Sequence, residues 1–166
     1  VNGFSKAFSI TVWRLGYAAG PKDLIAWMSM IQDQSTSNAN SITQKAGIAA
    51  LTGPMEPVTA MVAEFKARRE LIVSGLNRLP GVQCRAPEGA FYVFPNVGEL
   101  IGKRYKGKQV NGSVHLSEIL LDDFRLAAVP GEPFGAEGYL RFSFATNRAT
   151  IAKGLKRLGE FIAQLS

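Results

Sequence analysis

Ser5-Lys6-Ala7-Phe8-Ser9-Ile10-Thr11-Val12-Trp13-Arg14-Leu15-Gly16-Tyr17 is the stretch on which the reading of this chain turns. Small and aromatic residues surround Lys6. Such a setting withdraws water from an amine, which lowers its pKa and makes it a usable nucleophile. Eight residues on, Arg14 stands between Trp13 and Leu15. An arginine among apolar residues requires an anionic partner, and phosphate matches the guanidinium fork. Taken singly neither residue is specific, because most lysines and arginines are solvated surface groups. Locally, residues 1–20 read as a strand end, a loop and a second short strand around Trp13 to Ala18.

Outward from this stretch the chain alternates helix and strand signals. Pro21 suits a first helical position and Asp23 a first turn, predicting a helix over 21–31. Residues 32–40, rich in Ser, Thr and Asn, read as a turn, and 41–52 as a second helix. Gly53-Pro54 punctuates the chain. From Met55 to Leu79 apolar residues recur at steps of three or four, predicting one long helix that Pro80-Gly81 ends. Glu88 to Phe94 is strand-like. Residues 98–113, with Lys103, Arg104, Lys106 and Lys108, read as a solvated loop. Residues 114–124 predict a helix and 126–129 a strand. In Tyr139 to Ala145 the residues Leu140, Phe142 and Phe144 share one face and Arg141 and Ser143 the other. Arg141 therefore points either to solvent or into a cleft where it can hold a carboxylate. Residues 147–164 predict a closing amphipathic helix. Strands separated by helices define a layered α/β arrangement.

The 166 residues are 46% apolar and 19% charged, the composition of a globular chain with a hydrophobic core. The net charge of +6 is spread along the sequence rather than clustered, which argues against nucleic-acid binding. One cysteine, Cys84, cannot form an internal disulfide, so a reducing, cytoplasmic compartment is expected, with Cys84 a buried inert thiol. No apolar run reaches membrane-spanning length, no signal peptide is evident, and no metal site is expected. The chain opens Val1-Asn2-Gly3 without an initiator methionine, which suggests a fragment or a processed chain.

Ser5-Lys6, followed by Ile10-Thr11-Val12-Trp13-Arg14-Leu15-Gly16-Tyr17, resembles the cofactor-lysine signature of fold-type I pyridoxal-phosphate (PLP) dependent aminotransferases. The subgroup it is similar to is the bacterial-type aspartate and aromatic aminotransferases. The resemblance continues in order through Ala18-Ala19-Gly20-Pro21, Gln34 to Asn38, Pro87 to Pro95 (PEGAFYVFP), Val129 to Gly135 (VPGEPFG) and Leu140 to Ala145 (LRFSFA). It departs at Val12, where the family usually has Gly, and at Ile10, where it usually has Met. A valine is poorly tolerated at positive φ, so a special backbone at position 12 would alter Arg14's aim.

The resemblance implies an α/β fold of the PLP-dependent transferase type I. Residues 1–52 would be a remnant of the large cofactor domain; residues 53–166 would be a bridging helix and the small C-terminal domain. It implies that Lys6 binds PLP covalently and moves a proton at the substrate α-carbon, that Arg14 and Ser5 hold the cofactor phosphate, and that Arg141 binds the substrate α-carboxylate. Asn38 and Phe91 are implied to line the cleft. An amino acid and a 2-oxo acid are the implied substrates, and a homodimer the implied assembly. The family's chain is more than twice as long, so this chain alone is expected to be inactive and to self-associate through exposed apolar surface. Another fold-type I reaction, such as a lyase, and a dimerisation or effector domain of a regulator remain open on the residues alone.

Overall fold

The computed structural model describes residues 1–166, which fall into two compact units, Val1–Met61 and Val62–Ser166. The first unit opens with a two-stranded antiparallel ribbon, β1 (Asn2–Gly3) and β2 (Gly16–Tyr17), pairing Asn2 with Tyr17 and Gly3 with Gly16. Between the strands the chain loops out through a 3-10 turn, Thr11–Trp13. Two helices follow, α1 (Lys22–Ser35) and α2 (Ser41–Thr52). Asn40 starts α2 as its N-cap, its side-chain oxygen accepting from the N–H groups of Ile42 and Thr43. Helix α1 runs four residues past the sequence expectation, through Gln32-Asp33-Gln34-Ser35. Glutamine is a good helix former, and the turn-like residues stop the helix only at Thr36, before Ser37 takes φ 61°. No residue of α1 is buried, and Leu24, Trp27, Met28, Met30 and Ile31 are all exposed.

Helix α3 (Glu56–Leu76) crosses from the first unit into the second. It ends three residues before the expected Leu79, because Asn77 turns its side chain to the backbone of Cys84. Its Nδ2 donates to the Cys84 carbonyl at 2.9 Å, and the Cys84 N–H donates to its Oδ1 at 2.7 Å. Gly81, at φ 73°, reverses the chain.

The second unit is built on a three-stranded antiparallel sheet in the order β3-β7-β6, from β3 (Tyr92–Val93), β6 (Val129–Pro130) and β7 (Leu140–Ser143). Helices α4 (Gly112–Phe124) and α5 (Arg148–Ile162) complete it. The registers pair Val93 with Phe142 and Pro130 with Leu140. Val93, Leu140, Phe142 and Phe144 pack in one core with Ile72 and Leu76 of α3, Leu116 and Leu120 of α4, and Ile151, Leu158 and Phe161 of α5. The alternation expected in 139–145 is therefore realised, with Leu140 and Phe142 inward and Arg141 on the opposite face.

Residues 98–113 are more ordered than the solvated loop read from their basic residues. A 3-10 turn (Gly98–Leu100) precedes a hairpin of β4 (Arg104–Tyr105) and β5 (Lys108–Gln109). Its two-residue turn, Lys106-Gly107, has both φ values positive, as a tight hairpin of right-handed twist requires. Tyr105 anchors the hairpin, buried against Phe124 and Phe161.

No helix is long and apolar enough to cross a membrane, and no group of three or more His, Cys, Asp or Glu side chains could hold a metal ion.

Candidate functional site

The ribbon β1–β2 closes the neck of a loop that carries Ser5, Lys6 and Arg14. Phe4 anchors that neck, almost fully buried, with its ring 5.4 Å from Tyr17 and 5.6 Å from Phe8. Its N–H donates to the Leu15 carbonyl at 3.2 Å. Helix α2 accepts the neck at Gly47. A Cβ there would stand 2.5 Å from Leu15 Cδ2 and 3.4 Å from Phe4 Cζ, so glycine is the residue that fits.

Within the loop Thr11 ties two of the candidates together. Its hydroxyl donates to the Ser5 carbonyl at 3.0 Å, and its own carbonyl accepts from Arg14 Nη1 at 3.2 Å. Thr11 is the residue that reasoning from charge alone passes over, although it sits inside the signature stretch. Arg14 itself adopts the left-handed conformation, φ 50° and ψ 54°, and Ser9 lies at φ 57°. Val12, by contrast, lies in the 3-10 turn and has no positive φ. The valine for glycine exchange thus meets no backbone barrier; the left-handed position is two residues along. Lys6 is exposed, so the desolvation expected from its aromatic neighbours is not supplied within this chain.

Asn38 follows the left-handed Ser37 and faces an open groove of about 430 Å³, shared with Phe4, Tyr17, Gln32, Gln44 and Ile48. These residues all belong to the first unit.

Arg141 and Phe91 belong to the second. The register places Arg141 beside Val129, and Tyr92 opposite Ser143, so Tyr92, Ser143 and Arg141 share the face away from the core. Arg141 Cζ lies over the Tyr92 ring at 4.7 Å and over the Phe134 ring at 4.8 Å. None of the four ion pairs in the chain uses Arg141 or Arg14. Phe91 stands next to the left-handed Ala90, with its ring 4.5 Å from Tyr92 and 6.4 Å from Phe65. Its carbonyl accepts from the Phe144 N–H at 2.9 Å, which continues the pairing of β3 with β7. The ring partners Tyr92 and Phe134 were not singled out in the sequence. Their signal was the lone charge at the centre of an aromatic-rich strand pair.

Backbone strain gathers at these candidates. Of the non-glycine residues with positive φ, one is Arg14, and Ser37 and Ala90 immediately precede Asn38 and Phe91. Strained backbone of this kind persists where surrounding structure enforces it, and it clusters at functional sites.

The first unit thus presents a loop carrying Ser5, Lys6 and Arg14, and the second a sheet face carrying Arg141, on a mixed helix and strand framework. The family model for aminotransferase class I and II matches residues 1–158, and the chain belongs to that family. Among its relatives is an aspartate aminotransferase of Rhizobium meliloti (strain 1021), 42% identical over 167 residues that take in all of this chain and 41% of that protein. A probable aspartate/prephenate aminotransferase of Rickettsia typhi is 43% identical over 95% of this chain and 40% of its own. The crystal structure of the aspartate aminotransferase from Rhizobium meliloti superposes with a TM-score of 0.95 at 41% identity, covering 99% of this chain and 42% of that one. The aromatic aminotransferase from Pyrococcus horikoshii OT3 gives a TM-score of 0.86 at 34% identity, over 98% and 42%. The chain thus spans about 41% of the length of the curated relatives it matches.

Proposed function

We propose that this chain is the part of a PLP-dependent aminotransferase that carries the cofactor lysine, and that the complete protein transfers an amino group from aspartate or a related amino acid to a 2-oxo acid. The observation that carries this reading is the continuous family match over residues 1–158, which takes in both the Lys6–Arg14 loop and the Arg141 strand. In this reading residues 1–52 belong to the large cofactor domain, and residues 53–166 form the bridging helix and small domain.

Two features support the fit of PLP to these residues. Arg14 is held by Thr11 without an acidic partner, which leaves its charge available to a phosphate. Ser5 is tied to the same threonine. PLP, when bound, supplies the electron sink that makes the substrate α-proton removable. Lys6 Nζ would hold the cofactor and would move the proton between the substrate α-carbon and the cofactor's C4′. Arg14, with the Ser5 hydroxyl, holds the phosphate and so fixes the cofactor's position. Arg141 presents its fork to the α-carboxylate, which orients the α-carbon for proton transfer. Asn38 and Phe91 line the cleft. The working assembly is a homodimer in the cytoplasm, and the 166 residues alone do not turn over substrate.

A chimera tests this reading. Residues 1–166 replace the matching segment of the Rhizobium meliloti aspartate aminotransferase, and transfer from aspartate to 2-oxoglutarate is measured. The chimera is expected to be active, and Lys6→Ala to reduce its rate by roughly 10²–10⁴-fold, the usual contribution of a positioned proton-transfer group. A folded chimera without activity, or one indifferent to Lys6→Ala, overturns the reading.

A further inference from the structure

Arg141 is held in an unusual way for a cation on a sheet face: by rings and by no carboxylate. Tyr92 reaches it diagonally across the β3–β7 pair, within the range of long side chains on neighbouring strands. Phe134 reaches it from the 3-10 turn Glu132–Phe134 that follows β6. Aromatic faces attract a guanidinium without neutralising it. An acidic partner in their place would compete with an incoming anion. The rings also occupy space around the guanidinium that water would otherwise fill, which strengthens its attraction for a carboxylate.

The Phe134 side of this arrangement is built with care. Gly131 starts the turn with no room for a Cβ, since the carbonyls of Ala136 and Tyr139 crowd it. Its N–H donates to the Tyr139 carbonyl at 2.8 Å, and the Phe134 N–H donates to the Gly131 carbonyl at 2.9 Å. Gly135 ends the turn at φ 72°. Phe134 also meets Phe94 edge-on at 6.4 Å, and Phe94 stacks on Tyr139 at 5.1 Å. Finally Glu137 clasps the loop to the start of α4. Its carboxylate accepts from the Ser113 N–H at 2.7 Å and from the Ser113 hydroxyl at 2.9 Å, and Ser113 is fully buried. Burial pushes the Glu137 carboxyl up, and the hydrogen bonds from Ser113 and the Gly138 N–H outweigh it, so the group titrates below its ordinary range.

We propose that Tyr92 and Phe134 are positioning residues that set the Arg141 guanidinium to receive a carboxylate, and that Glu137 holds Phe134 in place through its clasp on Ser113. The proposal rests on the reading of Arg141 as the carboxylate-binding residue.

The test uses the 166-residue chain labelled with ¹⁵N-arginine. The Arg141 Nε–Hε resonance is assigned by its loss in Arg141→Lys, and succinate serves as the carboxylate probe. The wild-type Hε is expected upfield of the other arginines, because ring currents shield it, and to move on titration with succinate. Tyr92→Leu and Phe134→Leu, each retaining an apolar side chain, move Hε downfield and weaken succinate binding roughly 2–5-fold, the factor that corresponds to one partly exposed cation–π contact. Phe134→Tyr and Tyr92→Phe keep both signals at wild-type values, which separates the ring from mere bulk. Glu137→Gln weakens binding in the same direction. If succinate moves Arg141 equally in the wild type and in both leucine variants, the positioning role falls and the reading of Arg141 stands. If succinate leaves wild-type Arg141 unmoved, the reading of Arg141 falls and the positioning role with it.

Discussion

Glu64 accepts hydrogen bonds from Arg148 Nη2 at 2.5 Å and from Arg68 Nε at 2.7 Å. The bond from Arg148, and next that from Arg68, hold its carboxyl down to about 2. An unfolded glutamate titrates near ~4.3, so the folded chain binds the proton less readily than the unfolded one. The stabilisation is therefore complete above that range and is lost as the pH falls through about 2. Glu64→Gln should melt below the wild type at neutral pH, and the gap should close in thermal melts taken progressively toward pH 2; a gap that widens in acid contradicts the assignment. Cys84 is buried, as the sequence reading expected, and burial pushes its thiol up. A thiol-specific disulfide reagent should react with it slowly in the native chain and rapidly in denaturant. The candidate charges, Lys6, Arg14 and Arg141, were legible as residues because each broke an apolar or aromatic run. What surrounds them was not. The threonine bridge of Thr11, the rings over Arg141 and the left-handed φ at Arg14 arise from contacts that no local pattern encodes.

At the level of elements, the helices expected over 41–52, 114–124 and 147–164 lie within two residues of those bounds as α2, α4 and α5, the first and last having been read from apolar spacing, while other helix ends and the short strands were less legible. Helix α3 stops where Asn77 finds the Cys84 backbone, a partner seven residues away that spacing cannot reveal. The β4–β5 hairpin was hidden by its three basic residues and by Lys103 just before it, which read as solvation; Lys106-Gly107 was the available turn signal. Lys106 then pairs with Asp123 of α4 at 2.9 Å, so one of those charges belongs to a specific contact. Gly75 of α3 meets Leu155 of α5, whose branched end occupies the space a Cβ would need. Overpacking of this kind costs about 1–3 kcal/mol, against a helix-propensity gain of about 1 kcal/mol for Gly→Ala. Gly75→Ala should thus lower the melting temperature by a few degrees. In a Leu155→Ala background the same change should raise it, because only the propensity gain is left. Additive effects in the double variant would show that the two residues do not meet.

For the molecule as a whole, the layered α/β class followed from the alternation of signals, and the family resemblance from ordered motifs extending over nearly the full length. The uneven distribution of burial was only partly foreseen. The core lies in the second unit, whereas α1 buries no residue and leaves Leu24, Trp27, Met28, Met30 and Ile31 exposed along one face, the pattern of an amphipathic helix whose apolar side is uncovered. Sedimentation should accordingly find concentration-dependent association of the 166-residue chain, reduced by Trp27→Lys with Ile31→Lys; a monodisperse monomer at all concentrations contradicts this. The central claim, that Lys6 is the cofactor lysine, is tested most directly by adding PLP to the chain, reducing with borohydride and mapping the modified peptides by mass. The account predicts a pyridoxyl mass on Lys6 in clear preference to every other lysine, diminished in Arg14→Ala. Labelling spread evenly over the lysines, or absent from Lys6 while present elsewhere, would contradict it.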